Sequence, residues 1–428
     1  MEKQLIVAVC EQPELYRNSF FAKKPYEKRA FLGKSIRGNW TNVIWCGLVL
    51  CMVLVLLVLV IVFVPWFETE TSKPLAWHVN NAHKKQVHEH VHRVLKSPCR
   101  PGSARRSLLA RLRDTTHMTQ PFLWRDDPLP DDLFLYPPPF GFRSLRGNVE
   151  DLLKLLPEGD STAPPEKTDK CRRCVVMGNG GILRGLELGP LINRFDTIIR
   201  LNSGPLGEFS VDVGNRTSIR MSYPEGTPHR WIDTDPDTVF VAVVYKRVDI
   251  SWISAMMKKL TVPLWDWFFF WQKVPDQIPL EPHRFRLLNP EIIKETALDL
   301  LEYPPPRQRL WGSDQNVPTM GISALNLASL LCDEVSLAGF SYNLSRQGAP
   351  LHYYDHLHIN AMLKQTSHNV DRETELLLSL VREGAVTDLT QGIHCSFCPI
   401  SKDIPSKQTK LYQTSSSTGV KDVLSTSK

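Results

Sequence analysis

The chain carries little excess charge of either sign. Fifty-one Lys+Arg stand against forty-five Asp+Glu over 428 residues, a net +6, too mild to argue for a nucleic-acid partner. Nine cysteines are too few at this length for a small disulfide scaffold. Glycine is scarce beside proline, 23 against 32, which points to long irregular stretches, and no fixed-period repeat is visible, which sets repeat architectures aside. What is present is ordinary for a globular protein: 42% hydrophobic and 22% charged residues exclude a wholly disordered or fibrous chain. The length suits one catalytic-size domain with accessory segments.

One segment stands apart. Val43 to Val64 has no charged residue over 22 positions, and about 20 apolar residues span a ~30 Å hydrocarbon core. Lys23, Lys24, Lys28, Arg29, Lys34 and Arg37 precede it and Glu68 and Glu70 follow, so the positive-inside rule keeps residues 1–42 cytosolic and sends the rest across the membrane. A cleaved signal peptide would have a shorter apolar core and a small-residue cleavage site; Pro65-Trp66-Phe67 follows here. The expectation is a type II anchor at 43–64. In an oxidising lumen, disulfides among Cys99, Cys171, Cys174, Cys332, Cys395 and Cys398 become allowed. Asn215-Arg-Thr217 and Asn343-Leu-Ser345 become glycosylation sequons, whereas Asn39-Trp-Thr41 stays on the cytosolic flank.

Residues 65–134 read as a stem with scattered helical signals. Five of the thirteen histidines crowd into His78, His83, His88, His90 and His92, and His88 and His92 are spaced i, i+4; without an acidic or cysteine partner at ligand spacing, a solvated stem is favoured over a metal site. Residues 395–428, rich in Ser, Thr and Lys, read as a disordered tail. Between 135 and 394, short apolar runs alternate with helical stretches. Strands are expected at 174–178, 196–202, 217–222, 238–245, 285–289 and 334–340, and helices at 290–302, 321–332 and 371–383. This alternation predicts an α/β domain with a Rossmann-like, mostly parallel sheet covered by helices.

Several local patterns suggest chemistry. Strand 174–178 runs into Gly178-Asn-Gly-Gly181 and a helix expected through Leu191, a phosphate-binding arrangement in physical terms. The dinucleotide pattern needs a sixth-position glycine and an acidic residue ending the next strand; Leu183 and Arg200-Leu-Asn202 stand there instead, so a membrane-tethered NAD(P)-dependent oxidoreductase is only an alternative. Asp233-Thr-Asp235-Pro-Asp237 holds two overlapping D-x-D patterns but precedes a strand, which favours a surface turn over a metal site.

Longer stretches resemble one family. CRRCVVMGNGGILRGLELGPLINRFDTIIRLNSGP (171–205) is similar to the large sialyl motif of the animal sialyltransferases, and VPTMGISALNLASLLCDEVSLAGFSYNL (317–344) to their small motif. HYYD (352–355) and His368-x-x-x-x-Glu373 match the third and very small motifs. The wording of PPFGFR (138–143) and HNVDRETELLLSLVREG (368–384) resembles the glycolipid-directed branch of that family. The likeness covers roughly residues 90 to 393.

The resemblance implies a glycosyltransferase A-like variant of the fold, and transfer of sialic acid from CMP-sialic acid to the 3-hydroxyl of a terminal galactose, with inversion and without metal or other cofactor. It implies lactosylceramide or a related glycolipid as acceptor, with other galactosides as the alternative. It further implies a Golgi membrane protein with its catalytic domain lumenal, and it allows homo- or hetero-oligomers with other glycosyltransferases. By residue, it implies His368 as the base that deprotonates the incoming hydroxyl and Glu373 as a structural partner within the motif. His352 would support the leaving phosphate. Asn179, Asn202, Thr319 and Gly321 would contact the nucleotide, the last two through backbone N–H groups at a helix start. It also implies a disulfide from Cys174 to Cys332, joining the large and small motifs, and one from Cys99 to Cys171. Finally, Leu264-Trp-Asp-Trp-Phe-Phe-Phe-Trp271 is either core or, for a glycolipid acceptor, an apolar surface beside the acceptor cleft that touches lipid.

Overall fold

The computed structural model describes residues 45, 47–58, 79–113, 119–159, 170–306, 317–341, 350–355 and 368–396. Eight strands form one sheet: β1 (Phe122–Leu123), β2 (Arg173–Met177), β3 (Thr197–Leu201), β4 (Ile219–Ser222), β5 (Val239–Ala242), β6 (Phe285–Leu288), β7 (Glu334–Ala338) and β8 (Thr387–Asp388). Their order is β1-β6-β5-β4-β3-β2-β7-β8. Every neighbouring pair is parallel except β1 with β6. All six strands expected from the sequence are present. The two additions are edge strands of two residues, too short for any periodicity to signal.

The apolar runs have a direct cause. In β2, Cys174 and Val176 enter one core while Val175 and Met177 enter another on the opposite face. A strand buried on both faces cannot alternate apolar with polar residues. Helices Ser103–Leu109, Pro290–Glu295, Met320–Leu331 and Val370–Arg382 cover one face. Asn81–Lys96 and Gly189–Ile192 cover the other beside β2 and β3, and Arg146–Leu153 and Arg247–Lys258 cover it beside β5 and β6. Helix Met320–Leu331 is buried continuously from Met320 to Ser329, which explains its nearly all-apolar sequence. Pro290–Glu295 starts on an Asn289 cap with proline at its first turn, and continues as a π-turn over Thr296–Leu300.

The stem expectation needs correction from residue 81 onward. Val87 and Val91 of helix Asn81–Lys96 are fully buried against β2 and its neighbours. His88 bonds through Nε2 to Leu186 O at 2.6 Å, and His90 to Asp388 O at 3.1 Å; burial lowers the His90 pKa. These histidines fasten a helix to the domain instead of lining a solvated spacer. Cys99–Cys171 and Cys174–Cys332 are both bonded.

Residues 47–58 of the uncharged run are helical and belong to a separate N-terminal unit, residues 1–74. Among the described residues no helix is long and apolar enough to cross a membrane. The rest of the 43–64 run, Asn343, and the tail beyond Ser396 with Cys398 lie outside the described residues. Cys395 is disulfide-bonded.

From β2 the chain steps outward through β3, β4, β5 and β6, then returns to the other side of β2 as β7. In open parallel sheets, ligands collect at the carboxyl ends of the strands beside such a reversal.

Candidate active site

At that reversal the ends of β2 and β7 press together. The Gly178 N–H donates to Ala338 O (2.8 Å), that of Gly180 to Gly339 O (3.0 Å) and that of Gly181 to Leu351 O (3.0 Å). A Cβ at Gly178 or Gly180 would lie 2.6 or 2.5 Å from Gly339 O. The glycines therefore serve a close backbone approach. Their N–H groups point at carbonyls, and a 3₁₀ turn (Gly181–Leu183) replaces the expected helix. This removes the physical case for a phosphate cradle at the glycine turn, and with it the case for a dinucleotide enzyme.

Asn179 follows β2. Its Nδ2 donates to Leu201 O (3.3 Å) and its carbonyl accepts from Tyr353 N–H (3.1 Å). Gly204 makes room for it: a Cβ there would sit 2.5 Å from Asn179 Oδ1. Asn202, ending β3, has a left-handed backbone (φ 51°), which asparagine tolerates better than most residues. Its side chain fits against Gly226, where a Cβ would come within 2.6 Å of Oδ1.

Beneath Asn202 lies a support that sequence reading missed. Arg220, on β4, is fully buried and donates from Nη1 to Asn202 O (2.6 Å), while Nη2 and Nε engage both carboxylate oxygens of Asp233. Thr217 Oγ1–H donates to the same carboxylate (2.6 Å). Asp233 is thus an internal counter-ion. The surface-turn expectation holds for Asp235, which accepts from Asp237 N–H, and for Asp237, which pairs with Arg284, but not for Asp233. The single charged side chain in the otherwise uncharged IRMS strand, Arg220, was the available signal.

His352 bridges to Gly180 across the β2 end. Its Nδ1 meets Asp355 Oδ2 at 2.5 Å, and its ring stacks on Tyr354 at 5.1 Å. A carboxylate on Nδ1 fixes the proton there and aims Nε2. Burial, then Asp355, pushes the Tyr354 pKa up to about 12. Tyr353 is buried and donates its O–H to Pro205 O (2.7 Å).

The small and very small motifs meet at the start of helix Met320–Leu331. Gly321 lies against Phe340, 2.8 Å from a hypothetical Cβ, and Phe340 also packs on Gly178. Thr319 donates both its N–H (2.7 Å) and its hydroxyl (2.6 Å) to the two oxygens of Glu373. Its N–H, expected to face an anion, is directed at a carboxylate of the protein. Glu373 falls on the buried stripe Glu373, Leu376, Leu377, Leu380 of helix Val370–Arg382; an acid on an apolar stripe was the readable sign of an internal partner. His368 Nδ1 lies 2.7 Å from Val317 O. A carbonyl only accepts, so Nδ1 carries the hydrogen and the neutral ring has its lone pair on Nε2.

A continuous set of contacts thus links Thr319 and Gly321 through Phe340 and Gly178 to Asn179, with His352 and Asn202 beside it. His368 and Glu373 join at Val317 and Thr319. Further along the carboxyl edge, Lys246 Nζ bridges the buried Glu225 (2.7 and 2.8 Å) and Asp249 (2.7 Å); burial holds the Asp249 carboxyl up to about 6 despite the lysine. The one grouping with metal-ligand proximity among the described residues, Cys99, Cys171 and Glu334, is a disulfide beside a carboxylate already paired with Arg173 and Arg100.

These features gather the motif residues at the carboxyl end of a mostly parallel sheet. Residues 122–385 match glycosyltransferase family 29 (sialyltransferase), and the chain belongs to that family. It is 49% identical over 317 residues to lactosylceramide alpha-2,3-sialyltransferase of Bos taurus, covering 73% of this chain and 74% of the relative. It is 49% identical over 324 residues to that of Homo sapiens, covering 75% and 77%. CMP-N-acetylneuraminate-beta-1,4-galactoside alpha-2,3-sialyltransferase of Homo sapiens is 38% identical over 256 residues, covering 60% of this chain and 67% of the relative. A mammalian sialyltransferase crystal structure superposes with a TM-score of 0.51 at 22% identity, covering 68% of this chain and 98% of that one, which supports the fold.

Proposed function

We propose that this chain transfers sialic acid from CMP-sialic acid to the 3-hydroxyl of the terminal galactose of lactosylceramide, forming ganglioside GM3. The acceptor is supported by relatives of that name at 49% identity over about three quarters of the chain. In this reading the chain is a single-pass type II protein of the Golgi membrane, anchored at 43–64. Lactosylceramide is favoured over the beta-1,4-galactosides named for the 38%-identical relative by that difference in identity.

The observation that carries the mechanism is the His368 hydrogen bond to Val317 O. It sets the basic nitrogen as Nε2, so the ring can take the proton of the incoming galactose hydroxyl as CMP departs from the opposite face, giving inversion. An imidazole held in this tautomer suits that proton transfer. In this role His352 acts as an imidazolium: Nδ1–H donates to Asp355, which offsets the charge, and Nε2–H donates to the leaving phosphate. Asn179 and Asn202 present amides to the nucleotide from the ends of β2 and β3.

The test is product analysis with lactosylceramide, galactosylceramide and asialoglycoproteins offered side by side, for wild type and His368→Ala. Sialylated lactosylceramide should dominate, and the variant should lose roughly 10²–10⁴-fold in turnover while remaining folded. Preferential sialylation of glycoprotein, or wild-type turnover by the variant, overturns the acceptor or the base respectively.

A further inference from the structure

The aromatic loop after helix Arg247–Lys258 is not core. Leu264, Trp265, Phe268, Phe269 and Trp271 are 60–77% exposed. Only Phe270, under Lys246, and part of Trp267 turn inward. A one-turn 3₁₀ helix (Asp266–Phe269) sorts the side chains into these two sets. Soluble surfaces rarely carry so large an apolar patch without a partner.

The loop is also held firmly. Ser251 Oγ–H donates to Asp266 Oδ2 at 2.5 Å, the Trp271 N–H donates to Glu225 Oε1 at 3.4 Å, and the Gln272 side chain donates to Glu225 O. Glu225 precedes Gly226, the residue that receives the Asn202 side chain. The patch is therefore tied, through one turn, to the edge of the candidate site.

From this we infer that loop 264–271 docks on a lipid leaflet, seating its exposed Trp and Phe side chains at the headgroup–acyl boundary so that a glycolipid headgroup rises beside the site. Two observations select a leaflet over a second copy of the chain. Aromatic rings with flanking lysines are the makeup of interfacial belts, where rings sit at headgroup depth and lysines reach phosphates. Lys258 and Lys273 flank the loop and are exposed; Lys259, also exposed, pairs with Glu281 at 2.7 Å. The chain also carries its own anchor-like run at 43–64, so the remainder is read as tethered to a bilayer. The inference deepens the proposed glycolipid reading and rests on it for its purpose.

The experiment reconstitutes the full chain in phosphatidylcholine vesicles, with or without brominated acyl chains. Wild type is compared with Trp265→Phe/Trp271→Phe, which keeps the patch apolar. The emission difference between the two proteins isolates these two tryptophans and should be quenched at least twofold by brominated lipid. In parallel, Trp265→Ser/Phe268→Ser/Phe269→Ser/Trp271→Ser should lower sialyl transfer to vesicle-borne lactosylceramide tenfold or more while transfer to a soluble lactoside stays within twofold. An unquenched difference emission overturns the inference, including the case in which the loop is instead buried by self-association. Equal loss on both acceptors with a lowered melting temperature overturns it as well. Quenching does not depend on turnover, so leaflet docking without any transfer to lactosylceramide would count against the acceptor reading alone.

Discussion

Glu373 receives both the backbone N–H and the hydroxyl of Thr319, at 2.7 and 2.6 Å, and so locks helix Val370–Arg382 to the start of helix Met320–Leu331. The bond joins residues 54 positions apart. It also fixes the distance between the segment bearing His368 and the segment bearing Gly321. A negative charge at a helix start is favourable in its own right.

Glu373→Ala should therefore cost stability and catalysis together. Leaving a half-buried N–H without its acceptor costs about 1–3 kcal/mol, and the drift of the Thr319 end should raise KM for CMP-sialic acid. Glu373→Gln retains one acceptor oxygen while the Thr319 hydroxyl can turn to accept from its amide, so it should recover most of the loss. Steady-state kinetics and denaturant unfolding of both variants check this; equal defects in the two would show that the charge, not the geometry, matters.

Asp233→Asn should destabilise without creating a metal dependence. It leaves Arg220 buried beside a neutral partner, and breaking a buried pair from one side costs about 3–5 kcal/mol. The defect should appear as a lowered melting temperature and weakened donor binding, since Arg220 also holds Asn202 O. Rescue of the variant by manganese would instead restore the D-x-D interpretation.

Asp249 should give acid conditions a stabilising contribution. Its carboxyl is raised by burial from 3.8 to about 6, so the folded state binds the proton more tightly than the unfolded chain. The contribution is complete below about pH 4 and is lost as pH rises through about 6. From pH 7.5 to pH 5, wild type should gain about 1 kcal/mol relative to Asp249→Asn. Parallel stability curves over that range would refute the assignment.

Cys174–Cys332 closes a 158-residue separation, worth about 5 kcal/mol in the chain-entropy description. Replacing both by serine should sharply reduce the folded yield, and non-reducing peptide maps of wild type should contain the 174–332 pair. Recovery of Cys332 as an alkylatable thiol would contradict it.

The sequence by itself determined the parallel α/β sheet, six of its strands, the motif residues and the family, because both-face burial and ordered motifs leave signals that are local in the chain. It also indicated the two disulfides through resemblance. Only the tertiary structure decided what each residue faces. Helix Asn81–Lys96 reads as stem because its apolar stripe is narrow, yet Val87 and Val91 are fully buried. The glycines after β2 look like an anion cradle, but the carbonyls of Ala338, Gly339 and Leu351, more than 150 residues later, take their N–H groups. Asp233 looks like a surface acid until Arg220 is placed beneath it, and the aromatic run at 264–271 carries the same residues whether core or surface. These outcomes depend on tertiary contacts, most of them between segments far apart in sequence and one, Arg220 with Asp233, across 13 residues, and such pairings have no local periodicity to announce them.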